Sequence, residues 1–241
     1  VSLSGGSENT QFYTSLSYMK QTGITANQAL ERFTGNANLT HRFGHFTLNY
    51  SALFTKMNQQ LANEGTSYTS SIANYAFFQS PSSIAYLPDG SLASGAQTKS
   101  VVKINPLYEY EHSSDKSDIK RTLNSLRLDW NIWNALHLSE KVTYDYTSNT
   151  ENILWDRYSN DGAPGAVMQR VVSDLGQLNG QTQLSYVKSF GLHNVDALLG
   201  YETEKYTYRY NYINGTDYPG DLYEFGNAGT TSAESNKRSE E

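Results

Sequence analysis

The sequence predicts an all-β protein: a section of an antiparallel, up-and-down transmembrane β-barrel of about eight strands. Three observations carry this. Apolar residues recur at every second position through eight segments. The connections between those segments are alternately tight and long. No apolar run approaches the roughly 18 residues of a membrane-crossing helix. A mean hydropathy of −0.60 fits such a barrel, because only alternate side chains need to be apolar.

The clearest unit spans residues 32–57. Phe33, Gly35, Ala37, Leu39, His41 and Phe43 fall on one face, against Arg32, Thr34, Asn36, Asn38, Thr40 and Arg42. After Gly44-His45, Phe46, Leu48, Tyr50, Ala52 and Phe54 oppose Thr47, Asn49, Ser51 and Thr55, with Leu53 an apolar intruder. Successive strand residues point to opposite faces, so this is a hairpin with one apolar and one wet wall. Each arm is about as long as the roughly 9–11 residues that a tilted strand needs to cross a bilayer.

The same unit recurs along the chain. Residues 1–6 alternate, Gly6-Ser7-Glu8-Asn9 supplies turn chemistry, and 11–20 return with Phe12, Thr14, Leu16 and Tyr18 on one face. Residues 22–30 form a medium loop. From 58 to about 117 the alternation lapses in a Ser-, Asn-, Gly- and Tyr-rich stretch, too long for an ordinary connection. It returns with Leu126, Leu128, Trp130 and Ile132, then Leu136, Leu138, Val142, Tyr144 and Tyr146. A second long loop is expected over 149–174. Leu178, Gly180, Thr182, Leu184 and Tyr186 follow, and the last partner carries Val195, Ala197, Leu199 and Tyr201. A third loop is expected over 213–237. Short turns at one rim and long loops at the other match periplasmic turns and extracellular loops.

Phe46, Leu48, Tyr50, Phe54, Leu126, Leu128, Trp130 and Leu199 are the residues expected to face lipid. Phe12, Tyr18, Phe33, Phe43, Phe46 and Phe54 close the apolar faces with rings, as interfacial girdles do. Glu140 breaks the apolar face close to a tight turn, so it belongs near the lower headgroups.

Chemistry-bearing residues are sparse. His41, His45, His112, His137 and His193 are scattered, with no metal-binding spacing, and there is no cysteine. Asp129, Asp145 and Glu202 point to the wet side, where lumen charges are ordinary, so no enzyme, cofactor or metal is expected. Asn160-Asp161-Gly162 reads as a turn. A formal net charge of −6 without a basic cluster argues against nucleic acid. Nineteen tyrosines against nine phenylalanines and three tryptophans suit surfaces wet at one end and dry at the other. Tyr75, Phe77, Phe78 and Tyr86 in the first long loop, and Trp155 and Tyr158 in the second, are candidate contacts to ligand or partner. Tyr206, Tyr208 and Tyr210, continued by Tyr212, form a period-two stripe on the inward face and are candidates too.

Three stretches resemble the barrel of SusC/RagA-like TonB-dependent outer-membrane transporters. Ser4-Gly5-Gly6-Ser7-Glu8-Asn9-Thr10 with Phe12-Tyr13 and Leu16-Ser17-Tyr18 is similar to that family's first hairpin. Tyr86-Leu87-Pro88-Asp89-Gly90 and Asn105-Pro106 resemble an extracellular segment. His193-Asn194-Val195 through Leu198-Leu199-Gly200-Tyr201-Glu202 resembles a late strand. The resemblance implies that residues 1–241 are a partial receptor barrel, with the plug domain, the TonB box and most of the roughly 22 strands lying elsewhere. It also implies a location in the cell outer membrane, in contact with lipid. The whole protein would import oligosaccharides or peptides, driven through its plug by a TonB complex and capped by a SusD-like surface lipoprotein. A tyrosine-rich carbohydrate-binding or adhesin β-domain without transport is the alternative, and solubility separates the two.

Overall fold

The computed structural model describes residues 1–24, 27–61 and 72–240. The strands are β1 (Ser2–Gly6), β2 (Thr10–Thr22), β3 (Ala29–Phe43), β4 (Phe46–Leu61), β5 (Ser113–Trp133), β6 (Leu136–Trp155), β7 (Val167–Phe190), β8 (His193–Thr216) and β9 (Thr230–Glu240). Two short helices, α1 (Ile72–Phe77) and α2 (Pro106–Glu111), lie between β4 and β5. The strands form one antiparallel sheet in chain order, β1 to β9, each paired with its sequence neighbours.

Register confirms the two faces read from the sequence. Leu39 sits opposite Phe12 on one side and Tyr50 on the other; Tyr50 opposes Leu126, and Leu126 opposes Val142. Leu48 opposes Leu128, and Leu184 joins Leu138 to Leu199. Directly opposed residues share a face, so these apolar side chains form one continuous wall. Among the described residues no second layer covers it: Leu126, Leu128 and Phe54 are 47%, 36% and 53% exposed, and Leu199 is 70% exposed.

Tight turns join Phe43 to Phe46 and Phe190 to His193, each through two residues. Gly44 and Gly191 take φ of 56° and 63° there, a left-handed backbone that a two-residue hairpin loop requires and glycine adopts without a Cβ clash. Beside these turns a run of rings crosses three strands. Phe43 to Phe46 and Phe46 to Trp130 stack at 5.4 and 5.5 Å between centroids. Glu140 lies close to the same rim, exposed, and accepts a 2.5 Å hydrogen bond from the Thr182 hydroxyl.

The short connections are 7–9, 44–45, 134–135 and 191–192, and the longer ones 23–28, 62–112, 156–166 and 217–229. Segregation of loop length to one rim therefore holds, but several boundaries differ from the sequence reading. Residues 149–155 and 167–174 are strand rather than loop, and β5 begins at Ser113. The stretch 213–237 is not one loop: β8 runs to Thr216, and a ninth strand pairs with it from Thr230. The cause is common to all of them. Above the apolar band the alternation lapses: β9 is polar on both faces, as Thr230–Glu240 shows with TTSAESNKRSE, and the outer end of β7 (VMQRVV) carries apolar residues on both. Backbone pairing continues there without any hydropathy alternation to mark it.

Most of the buried core lies at the long-loop rim. Tyr75, Ala93, Ile104, Trp155, Ala166 and Tyr218 are all at most 8% exposed there, and Ala135 is buried at the opposite rim, in the turn between β5 and β6. The sheet itself has no dry interior.

Candidate functional site

Two surfaces merit attention: the polar face of the sheet and the loop cluster at its rim. On the polar face, charges are paired with neighbours. Arg121 donates to both carboxylate oxygens of Asp145, at 3.0 and 2.5 Å. Asp129 accepts from Arg127 at 2.8 Å and from Asn49 at 3.3 Å, and Glu202 accepts from Asn179 and Gln181. The carboxylates singled out from the sequence are thus committed to cross-strand contacts that stiffen a wall.

Tyr206, Tyr208, Tyr210 and Tyr212 lie on this face, opposite Gln177, Leu175, Ser173 and Val171 of β7 and opposite Glu240, Arg238, Asn236 and Glu234 of β9. All four rings are half-buried. Glu204, Tyr206, Arg238 and Glu240 line an open cleft of about 530 Å³, in which Arg238 pairs with Glu240. Arg238 and Glu240 escaped the sequence reading because their strand carries no apolar period. Higher on the same face, Asp115 is buried, with an Oδ1 that meets no hydrogen-bond donor. Burial, and next the neighbouring Glu151 charge, push its carboxyl up to about 6.

The rim is held by small polar devices. Leu87, Pro88, Asp89 and Gly90 make a β-turn closed by Gly90 N–H to Leu87 O at 2.9 Å, with Gly90 at φ 86°. Asp89 accepts from the Ser91 hydroxyl and backbone N–H, which hold its carboxyl below the ordinary range. Asn105 is 2% exposed and uses its whole amide. Its Nδ2 donates to Ala85 O and Ala93 O at 2.8 and 2.9 Å, and its Oδ1 accepts from Leu107 N–H to cap α2. Pro106 follows at the position where a helix needs no N–H donor. Asn105 thereby ties together the two segments that flank the Pro88-Asp89-Gly90 turn.

A second cluster joins the long loop to the connection 156–166. His112 packs against Tyr108 and Tyr158, at 4.2 and 5.4 Å between centroids, and its Nδ1 meets Asp156 at 2.7 Å. Asp156 also accepts from the N–H groups of Tyr158 and Ser159, and Glu109 accepts from Asn160 N–H at 2.9 Å. Burial raises the Glu109 carboxyl above its usual range and outweighs that hydrogen bond. Asn160-Asp161-Gly162 is a turn, as expected. A Cβ on Gly162 would lie 2.0 Å from Asp156 O, so the backbone passes too closely for any other residue. Arg157 ties this connection to the next, donating to Tyr218 O at 2.9 Å and pairing with Asp221 at 3.1 Å.

The candidate contact rings divide accordingly. Phe77, Phe78, Tyr86 and Tyr158 are 86%, 56%, 58% and 53% exposed, free to meet something outside the chain. Tyr75 and Trp155 are 3% and 8% exposed, so neither can offer a ring to a ligand in this conformation. Trp155 is the last residue of β6 rather than part of a loop, and Tyr75 sits within α1 in the rim core. Their apolar area is already spent on packing.

A single-layer antiparallel sheet, apolar on one face and polar on the other, with turns and loops segregated by rim, is a wall section of an outer-membrane-type β-barrel. Among the described residues no helix is long and apolar enough to cross a membrane, which says nothing of strands. No family model matches the chain. A protein from Formosa agariphila named TonB-dependent receptor P26 is 25% identical over 215 residues, covering 85% of this chain and 20% of that protein. The structure of the RagAB peptide transporter matches 99% of this chain with a TM-score of 0.77 at 15% identity, using 28% of that chain. The RagAB peptide importer in its "open-open" state matches with a TM-score of 0.70 over the same share. The chain thus shares the barrel-wall fold of the RagAB structures and is similar in sequence to a TonB-dependent receptor, spanning about a fifth of that curated relative.

Proposed function

We propose that this chain forms part of the wall of an outer-membrane TonB-dependent transporter that imports oligosaccharides or peptides together with a SusD-like surface lipoprotein. The observation that carries the reading is the uncovered apolar face of the sheet. An exposed patch of that extent has no place on a protein surrounded by water, and a bilayer would cover it. Phe46, Leu48, Tyr50, Phe54, Leu126, Leu128, Trp130 and Leu199 then face hydrocarbon. The polar face lines the lumen, where the stripe of Tyr206, Tyr208 and Tyr210 offers rings and hydroxyls to passing cargo. Phe77, Phe78, Tyr86 and Tyr158 meet cargo or the lipoprotein at the mouth. The chain performs no chemistry on the cargo; energy enters through the TonB complex, which engages the plug.

The test uses the full-length protein in its native host. Deleting it should abolish uptake of labelled oligopeptides or oligosaccharides, and restoring it should recover uptake only while the TonB complex is intact. Replacing Tyr206, Tyr208 and Tyr210 together by serine should cut uptake about tenfold at unchanged outer-membrane abundance, the loss expected when several aromatic contacts go. Undiminished uptake of both cargo classes after deletion would refute the transport reading.

A further inference from the structure

On β3 to β5 the apolar wall ends first in rings and then in charge. Tyr18 packs on Phe33 at 4.7 Å between centroids, Phe33 stands opposite Lys56, and Lys56 stands opposite Lys120. On β4 the outward positions run Tyr50, Ala52, Phe54, Lys56, Asn58 and Gln60. Their partners on β5 are Leu126, Asn124, Thr122, Lys120, Asp118 and Lys116. Phe54 is the last apolar residue of the first run, and every outward position beyond it on these two strands is charged or an amide.

The charges here do not balance. Like charges directly opposed across an antiparallel pair repel, and Lys56 and Lys120 are such a pair. One carboxylate serves both: Asp118 meets Lys120 Nζ at 3.3 Å and Lys56 Nζ at 3.7 Å, each through a different oxygen. Lys116, on the same face beyond Asp118, is exposed and forms no ion pair among the described residues. Three cations around one carboxylate leave a surplus of two positive charges. Lys20 and Glu31, the next charges along this face, pair with each other at 2.8 Å and leave that surplus unchanged. Beside Lys116 and Asp118 opens a groove of about 390 Å³, lined in part by Asn58, Gln60 and Asn152. Their side-chain amides both donate and accept hydrogen bonds.

We propose that this patch seats the phosphorylated headgroup of an outer-leaflet glycolipid. Its phosphate lies among Lys56, Lys116 and Lys120, its sugar hydroxyls meet the amides of Asn58 and Gln60, and its acyl chains run down the wall past Phe54. The inference rests on the proposed contact of the outward face with lipid. Given that contact, Tyr18 and Phe33 sit where interfacial ring belts sit, and lysines at that depth attract anionic headgroups. A phosphate monoester carries a charge of about −1.5 to −2 at neutral pH, which matches the surplus on the lysines. Its oxygens also relieve the repulsion between Lys56 and Lys120. A phosphatidylcholine headgroup, with no net charge, offers neither.

The experiment reconstitutes the full-length protein in phosphatidylcholine vesicles doped with monophosphoryl lipid A or with its dephosphorylated counterpart. After detergent extraction, retained lipid is counted by native mass spectrometry. The unaltered protein should retain roughly tenfold more of the phosphorylated form, a comparison that needs no variant to fold. Lys116→Gln with Lys120→Gln should abolish the preference while leaving Asp118 paired with Lys56. Arg32→Gln with Lys141→Gln removes the same charge from the polar face and should leave the preference unchanged. Equal retention of both lipids would overturn the proposal, as would an unchanged preference in the Lys116, Lys120 variant or an equal loss in the polar-face variant. Displacement of the lipid by excess inorganic phosphate would assign the lysines to free phosphate and overturn the headgroup assignment. A protein that stays out of the vesicles would bring down the membrane reading itself, a failure distinct from equal retention by a protein that has inserted.

Discussion

Asn105 and Asp115 stand only ten positions apart in the chain and illustrate opposite solutions to burying a polar side chain. Asn105 satisfies its amide in full, so its burial stabilises the rim. Asp115 is buried beside Glu151 without a partner for Oδ1, so the folded state favours its protonated form. With a folded-state pKa raised from 3.8 to about 6, stability at this end of β5 is greatest below pH 3.8 and declines as pH rises towards 6. In the full-length protein, amide exchange over 113–117 should be faster at pH 7 than at pH 4 after correction for intrinsic rates. Asp115→Asn should flatten that difference by on the order of tenfold or more, and an equal pH dependence in both proteins would show that another group is responsible. Asn105-Pro106 and Pro88-Asp89-Gly90 were legible as motifs. That Asn105 ties together the segments flanking the Pro88-Asp89-Gly90 turn was not, because it depends on how the chain between them folds. Tyr75 and Trp155 were misread for a related reason: a ring in a polar stretch looks the same in sequence whether it is exposed or is the stretch's own anchor.

Strands were legible wherever one face must be apolar, and only there. Period-two hydropathy located the inner parts of β2 to β8 with the correct faces, because a one-residue slip would turn every apolar side chain to the wet side. It was silent for β9 and for the outer ends of β5 to β8, where no apolar face alternates with a polar one and pairing rests on backbone hydrogen bonds. The apolar positions make the sharpest demand on the assignment. Leu128→Arg and Leu199→Arg each place a guanidinium on the uncovered face, at a cost of about 2–4 kcal/mol near the bilayer centre and less towards its surfaces. Either variant of the full-length protein should show reduced outer-membrane assembly in a heat-modifiability assay. Ser125→Arg, on the polar face of the same strand, should assemble normally. Normal insertion of both leucine variants would mean that these positions do not touch lipid.

At the scale of the whole molecule, the sheet is a wall with two open sides. Among the described residues β1 pairs only with β2, and β9 only with β8, so each leaves a row of backbone donors and acceptors without a neighbouring strand. Produced by itself, this segment should aggregate in buffer and need detergent to stay dispersed. A monodisperse, detergent-free monomer in light scattering would favour the carbohydrate-binding alternative instead.

Strand length has a consequence for the shape of the mouth. β2 and β3 comprise 13 and 15 residues and β7 and β8 comprise 24 each, while their short turns share one rim. At about 3.3 Å per residue and a tilt near 45°, the difference lifts the far side by roughly 25 Å. The upper edge of this sheet is therefore oblique, a parapet rising from a low sill at β2–β3 to a tower at β7–β8.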